Sequence, residues 1–209
     1  MVVVIFILIA LLSYLMGSVP AGYIAGRVAG IDIRSVGSGN VGATNVLRTL
    51  GKPYGYAVFL FDFCKGVGAV WISILIINAA HPGNQESELV GIMAGVLCVL
   101  GHTYPVWLGF KGGKGVATSA GVLFGLMPAA ALTVLAVWFI TFQATKYVSV
   151  ASIVAAVALP VTAAVMVHFE KAGRPLVYFS ACLAVVIIWR HRSNVSRLMK
   201  GTEPSFRRK

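Results

Sequence analysis

Six apolar runs of bilayer-spanning length decide what this chain can fold into. They cover roughly residues 2–25, 54–79, 89–108, 116–142, 148–167 and 176–189. A hydrocarbon core about 30 Å thick takes about 20 helical residues to cross. No water is available there, so each segment must satisfy its backbone groups internally, and helices do this. The 209 residues are 58% hydrophobic, which leaves no room for a separate soluble domain. The expected fold is all-α: a single integral-membrane domain over residues 1–209. The first run follows Met1 without a basic flank, so it is expected to be a retained span and not a signal peptide.

The fourth run is too long for one comfortable crossing and carries Pro128 near its middle, after Gly125. Charge placement bears on how it crosses, because cytoplasmic loops of membrane proteins are the basic ones. Basic residues gather at 27–53, 105–114 and 144–147 and in the tail from Arg190, whereas 81–88 has two glutamates and no Lys or Arg. If the fourth run breaks at Pro128 and crosses twice, every Lys and Arg falls on one side except Lys65, Lys171 and Arg174. The expectation is therefore seven transmembrane helices, two of them short around Pro128 with about 12–15 residues each, roughly 18–22 Å. The N-terminus lies outside and the C-terminus in the cytoplasm. A re-entrant hairpin at Pro128 would leave the remaining topology the same.

With 17 Lys and Arg against 6 Asp and Glu, the formal charge is +11. The bases sit in short loops between apolar spans, which fits anionic lipid headgroups and anionic substrates and argues against nucleic acid. Cys64, Cys98 and Cys182 all lie inside apolar runs at spacings that match no metal framework, so neither a disulfide nor a metal site is expected.

Two glycine-rich basic segments lie at the ends of spans: GSGNVGATNVLR over 37–48, and GFKGGKG over 109–115. Glycine lets the backbone turn and bare its N–H groups, and nearby cations complete an anion site. The first segment fits the G-x-G-x-x-G pattern but follows a membrane helix, with no strand before it, so a dinucleotide fold is excluded. The second lacks Walker A spacing. Ser38, Gly39, Asn40, Thr44 and Asn45 supply amides and uncharged hydrogen-bonding groups, and Arg48 a bidentate guanidinium. Lys111 and Lys114 stand among Gly112, Gly113 and Gly115, a density of glycine that snorkelling lysines do not explain.

Other polar residues occur at helical spacing. Asp62 and Lys65 are expected to neutralise each other within a span. His102 ends the third run and is expected to be a structural hydrogen-bond partner. Ser149 and Ser152 share a helix face, as do His191 and Asn194 where the last run ends. No Ser–His–Asp order, carboxylate pair or strong base is evident. Such a site suits an electrophile that arrives already activated, with the protein positioning anions and stabilising developing charge.

Four blocks resemble the bacterial acyl-phosphate:glycerol-3-phosphate acyltransferase family (PlsY): GSGNVGATNVLR at 37–48, GHTYPVWLGFKGGKGVAT at 101–118, YVSVASI at 147–153 and RHRSNVSRLMKGTEP at 190–204. They occur in order and span nearly the whole chain. The resemblance implies a seven-helix enzyme of the bacterial inner membrane whose site faces the cytoplasm. It also implies a reaction: a fatty acyl group passes from acyl phosphate to the 1-hydroxyl of sn-glycerol 3-phosphate, giving lysophosphatidic acid and inorganic phosphate without an acyl-enzyme. Ser38, Arg48, Lys114, Ser152, His191 and Asn194 match the positions that line the family's site. The expected partners are these two substrates and membrane lipids, with no cofactor and no required protein partner. The competing expectation is a transporter of a phosphorylated metabolite, but the side opposite the basic loops offers an anion only Lys171 and Arg174.

Overall fold

The computed structural model describes residues 2–83, 86–169 and 173–206. Lys171 and the terminal Arg207, Arg208 and Lys209, used in the charge argument, lie outside the described residues. Within these limits the chain is all helix, with no strand, and divides into two compact units, 1–126 and 127–209.

The first unit contains α1 (Val2–Ser18), α2 (Ala21–Val28), α3 (Ala43–Leu50), α4 (Lys52–Ala80), α5 (Ser87–Thr103) and α6 (Val116–Leu126), with a 3-10 turn at Val106–Leu108. The first apolar run is broken between α1 and α2 at Val19–Pro20, because proline lacks the N–H that would continue the hydrogen-bond ladder. Small residues allow the helices to approach closely, as membrane packing requires. A methyl group at Gly17 of α1 would overlap the Cys98 carbonyl of α5, and one at Gly101 of α5 would overlap the Tyr14 carbonyl of α1. The same reciprocity joins α4 and α6, where Gly66 lies against the Thr118 carbonyl and Gly121 against the Phe63 carbonyl. Ser13 and Ser73 hydrogen-bond between α1 and α4 at 3.3 Å.

The second unit contains α7 (Pro128–Thr145), α8 (Val148–His168), α9 (Arg174–Arg190) and α10 (Arg192–Met199). Large apolar side chains on α7, including Leu132, Leu135, Phe139 and Ile140, stand exposed, as a lipid-facing surface does. After Met199 the chain returns to α8, and the Phe206 N–H donates to the Lys146 carbonyl at 2.9 Å.

Five of the described segments are long and apolar enough to cross a membrane: 2–28, α4, 87–108, α7 and α8. A sixth arises if α9 and α10, bent by 50° at His191, count as one span. The fourth run does break beside Pro128, but the expectation of two short pieces needs correction. α6 has 11 residues, about 16 Å at 1.5 Å per residue. α7 has 18, because Pro128 at its first turn costs no hydrogen bond and the helix runs on until Lys146 adopts the left-handed conformation.

Candidate active site

The first loop is organised from beneath by one side chain. Asn45, in the first turn of α3 and only 2% exposed, donates its amide to the carbonyls of Ile33 (3.2 Å) and Val36 (3.1 Å). Its Oδ1 accepts the Ser38 N–H at 2.8 Å. Gly37 and Gly39 take φ of +59° and +69°, a region where any other residue is strained, and the resulting bend leaves Ser38 exposed. Asn40 closes the loop by accepting the Gly42 N–H at 2.8 Å. Asn45 and Asn40, expected to face substrate, thus hold the loop's own backbone. Thr44 and Arg48, from the first and last turns of α3, are half-buried. Ile33, Val41, Val46, Val58 and Leu108 pack together as the core of this region.

Near the start of that loop, Arg34 clasps Asp32, with Nη2 to Oδ2 at 2.7 Å, and lies over the Tyr23 ring. The Arg34 hydrogen bonds hold the Asp32 carboxyl down at about 2, and Asp32 raises the Arg34 guanidinium in turn. This arginine is neutralised locally.

The glycine loop leaves α5 through Pro105 and the 3-10 turn. Gly109 and Phe110 both adopt positive φ, which folds the chain back on itself. The Gly112 N–H then donates to the Thr103 carbonyl and the Gly113 N–H to the His102 carbonyl, each at 3.1 Å. These two amides were expected to hold an anion. They instead satisfy carbonyls at the end of α5 that have no partner within the helix. The loop's second lysine lies farther on. Lys114 is half-buried, Gly115 takes φ of +81°, and α6 begins at the next residue. The first N–H groups of a helix have no internal acceptor and attract anions. Lys114 thus stands one residue ahead of a helix N-terminus, while Lys111 is exposed on the outer limb.

In the second unit, Ser149, Asn194 and Arg197 converge on Glu203. Ser149 Oγ and Asn194 Nδ2 each donate to Oε1 at 2.7 Å, and Arg197 Nε donates to Oε2 at 2.8 Å. Burial alone would raise the Glu203 carboxyl. The bonds from Asn194, Ser149 and Arg197 outweigh it and hold the group below its ordinary value. His191, buried at the bend between α9 and α10, faces the Ile187 carbonyl with Nδ1 at 2.7 Å. A carbonyl only accepts, so Nδ1 carries the proton in this contact. Ser152 is also buried, donates to the Val148 carbonyl at 2.8 Å and accepts from Trp138 Nε1 at 3.2 Å.

Glu203 and Arg197 were not among the residues expected from sequence. The signal was present: Glu203 is the only carboxylate in a strongly basic tail, and a lone acid there needs a partner.

Comparison with known proteins identifies the family. The family model for glycerol-3-phosphate acyltransferase matches residues 7–201. A glycerol-3-phosphate acyltransferase of Gloeobacter violaceus is 48% identical over 93% of this chain and 91% of its own. One from Staphylococcus carnosus is 43% identical over 96% and 98%. Among solved structures, the glycerol 3-phosphate form of PlsY, an integral membrane glycerol 3-phosphate acyltransferase, superposes with a TM-score of 0.84 at 39% identity, covering 97% of this chain and 96% of that one. Its lysophosphatidic acid form gives 0.81 at 38% identity, covering 97% and 95%. This is a multi-pass membrane protein, and it belongs to the PlsY family of glycerol-3-phosphate acyltransferases.

Proposed function

We propose that this protein transfers a fatty acyl group from acyl phosphate to the 1-hydroxyl of sn-glycerol 3-phosphate, releasing lysophosphatidic acid and inorganic phosphate. The observation that carries the reading is Lys114 set one residue ahead of the N-terminus of α6, a cation beside the positive end of a helix. Family membership supplies the substrates, since related structures hold glycerol 3-phosphate and lysophosphatidic acid.

Acyl phosphate is a mixed anhydride, so its acyl carbon is already electrophilic. The 1-hydroxyl oxygen attacks that carbon, the bond from carbon to the phosphate oxygen breaks, and phosphate leaves with the electron pair. The hydroxyl proton passes to a substrate phosphate oxygen, in line with the lack of an evident protein base. Arg48 and Lys114 hold phosphate oxygens and Ser38 offers a hydroxyl beside them; Lys111 adds positive charge at the loop's outer limb. His191 and Ser152 match positions that line the family's site. Asn194, held by Glu203, orients glycerol 3-phosphate.

The family model runs across both units, which supports treating residues 1–209 as one acyltransferase domain. The charge pattern supports seven crossings with the basic loops and the tail in the cytoplasm, at the bacterial inner membrane. α6, although short, makes the seventh.

Purified protein in detergent, given palmitoyl phosphate and glycerol 3-phosphate, should release inorganic phosphate and form lysophosphatidic acid. Turnover with acyl-CoA instead would overturn the donor assignment. Counterflow of labelled glycerol 3-phosphate in proteoliposomes without acyl phosphate would point to transport. Labelling of single cysteines from each face should place positions 52 and 111 together, opposite position 83.

A further inference from the structure

Three ionisable side chains that play no part in the mechanism above meet inside the first unit. Asp62 and Lys65 lie one turn apart on α4, with Lys65 Nζ 2.8 Å from Asp62 Oδ1. His102, at the end of α5, brings Nδ1 to 3.4 Å from the same oxygen. Their exposures are 2%, 6% and 8%, so none is solvated as a surface charge is. Polar groups at membrane depth are costly, and those that persist tend to serve a site.

A pair would have been enough to neutralise Lys65. The third member, His102, connects the pair to the glycine loop. With Nδ1 turned to Asp62, the opposite edge of the ring faces Gly113, and a methyl group there would overlap His102 Nε2. The His102 carbonyl accepts the Gly113 N–H, so one residue grips the loop through both ring and backbone. On the other side, Lys65 Nζ donates to the Val19 carbonyl at 3.0 Å, tying the cluster to the break between α1 and α2. Lys114 follows Gly113 directly. Any shift of the His102 ring therefore shifts the cation and the first amides of α6.

We propose that Asp62, Lys65 and His102 form a positioning cluster that holds the glycine loop in its phosphate-binding shape. Asp62 orients the His102 ring, Lys65 holds Asp62 in place, and the ring sets the height of Gly113. In this role the cluster acts through the loop, so its removal changes substrate affinity more than the chemical step. This assignment rests on the acyltransferase reading above.

The test compares Asp62→Asn, His102→Gln, their double variant, Gly113→Ala and His102→Ala/Gly113→Ala. Readouts are kcat and KM for glycerol 3-phosphate, calorimetric binding of glycerol 3-phosphate, and amide exchange over residues 109–115. Asp62→Asn and His102→Gln should each raise KM about tenfold with kcat within about threefold, and the double variant should be no worse than either. Exchange of the loop amides should quicken in all three. If the Asp62 variants fail to fold, the size swap decides: His102→Ala makes room for the methyl that Gly113→Ala adds, and should recover part of the affinity that Gly113→Ala alone loses. Unchanged KM, additive losses, a fall confined to kcat, or no recovery in the swap would overturn the proposal. An unmodified protein that neither turns over nor binds glycerol 3-phosphate would overturn the functional reading instead. The loop exchange would still decide whether the cluster anchors the loop.

Discussion

Asn194 and Glu203, nine residues apart across the turn that follows α10, share a hydrogen bond of 2.7 Å that folds the basic tail back onto α10, and Ser149 ties the same carboxylate to the start of α8. Glu203 takes donors from Ser149, Asn194 and Arg197, so it organises a polar centre from three parts of the chain. Replacing it by Gln keeps the shape but loses the charge, and should cost about 1–3 kcal/mol of stability. The pH dependence follows from its lowered carboxyl. A group whose folded value lies below its unfolded value stabilises above the unfolded value, and that contribution is lost as pH falls through the folded one. The gap in melting temperature between wild type and Glu203→Gln should be full at neutral pH and close on acidification. A gap that widens in acid would contradict the assignment.

Asn45→Ala removes three hydrogen bonds from under the first loop and leaves the Ile33 and Val36 carbonyls without that donor. A loss of about 1–3 kcal/mol is expected in thermal unfolding. KM for glycerol 3-phosphate should rise as well, because the bend that presents Ser38 is no longer held.

Arg48→Ala and Lys114→Ala should each lower kcat/KM by about 10²–10³-fold, the usual effect of removing one donor to developing charge. Both residues are half-buried at element ends, so melting should change little. Lys114→Arg tests whether a compact ammonium is needed before the helix amides, and Arg48→Lys whether a fork is needed. Wild-type turnover in either alanine variant rules out the corresponding role.

Gly121→Leu forces a side chain into the Phe63 carbonyl where α6 meets α4. Overpacking of this kind costs about 1–3 kcal/mol. Because only Gly115 separates Lys114 from α6, the displacement should also weaken phosphate binding. Gly30→Leu, at a position where an added methyl meets nothing within 4 Å, provides the contrast: its cost comes only from the positive φ and should leave KM alone.

The sequence alone determined the helical class, the membrane setting, the family and the two glycine-rich loops. Apolar runs of spanning length permit few other folds, and glycine beside Lys or Arg is a local signal that survives without tertiary context. The break at Pro128 was legible for the same reason, since proline acts on its own turn. Tertiary structure decided the direction of each polar group. Asn45, Asn194 and the amides of Gly112 and Gly113 looked available to substrate, yet each is engaged by protein: Asn45 across 12 residues to Ile33, Asn194 by Glu203, and the two amides by the end of α5. Glu203 and His102 gained their roles in the same way, from neighbours 54 residues away at Ser149 and on another helix at Asp62. A hydrogen bond depends on where its partner lies in space, and for these groups the partner is distant in the chain or brought close only by a turn.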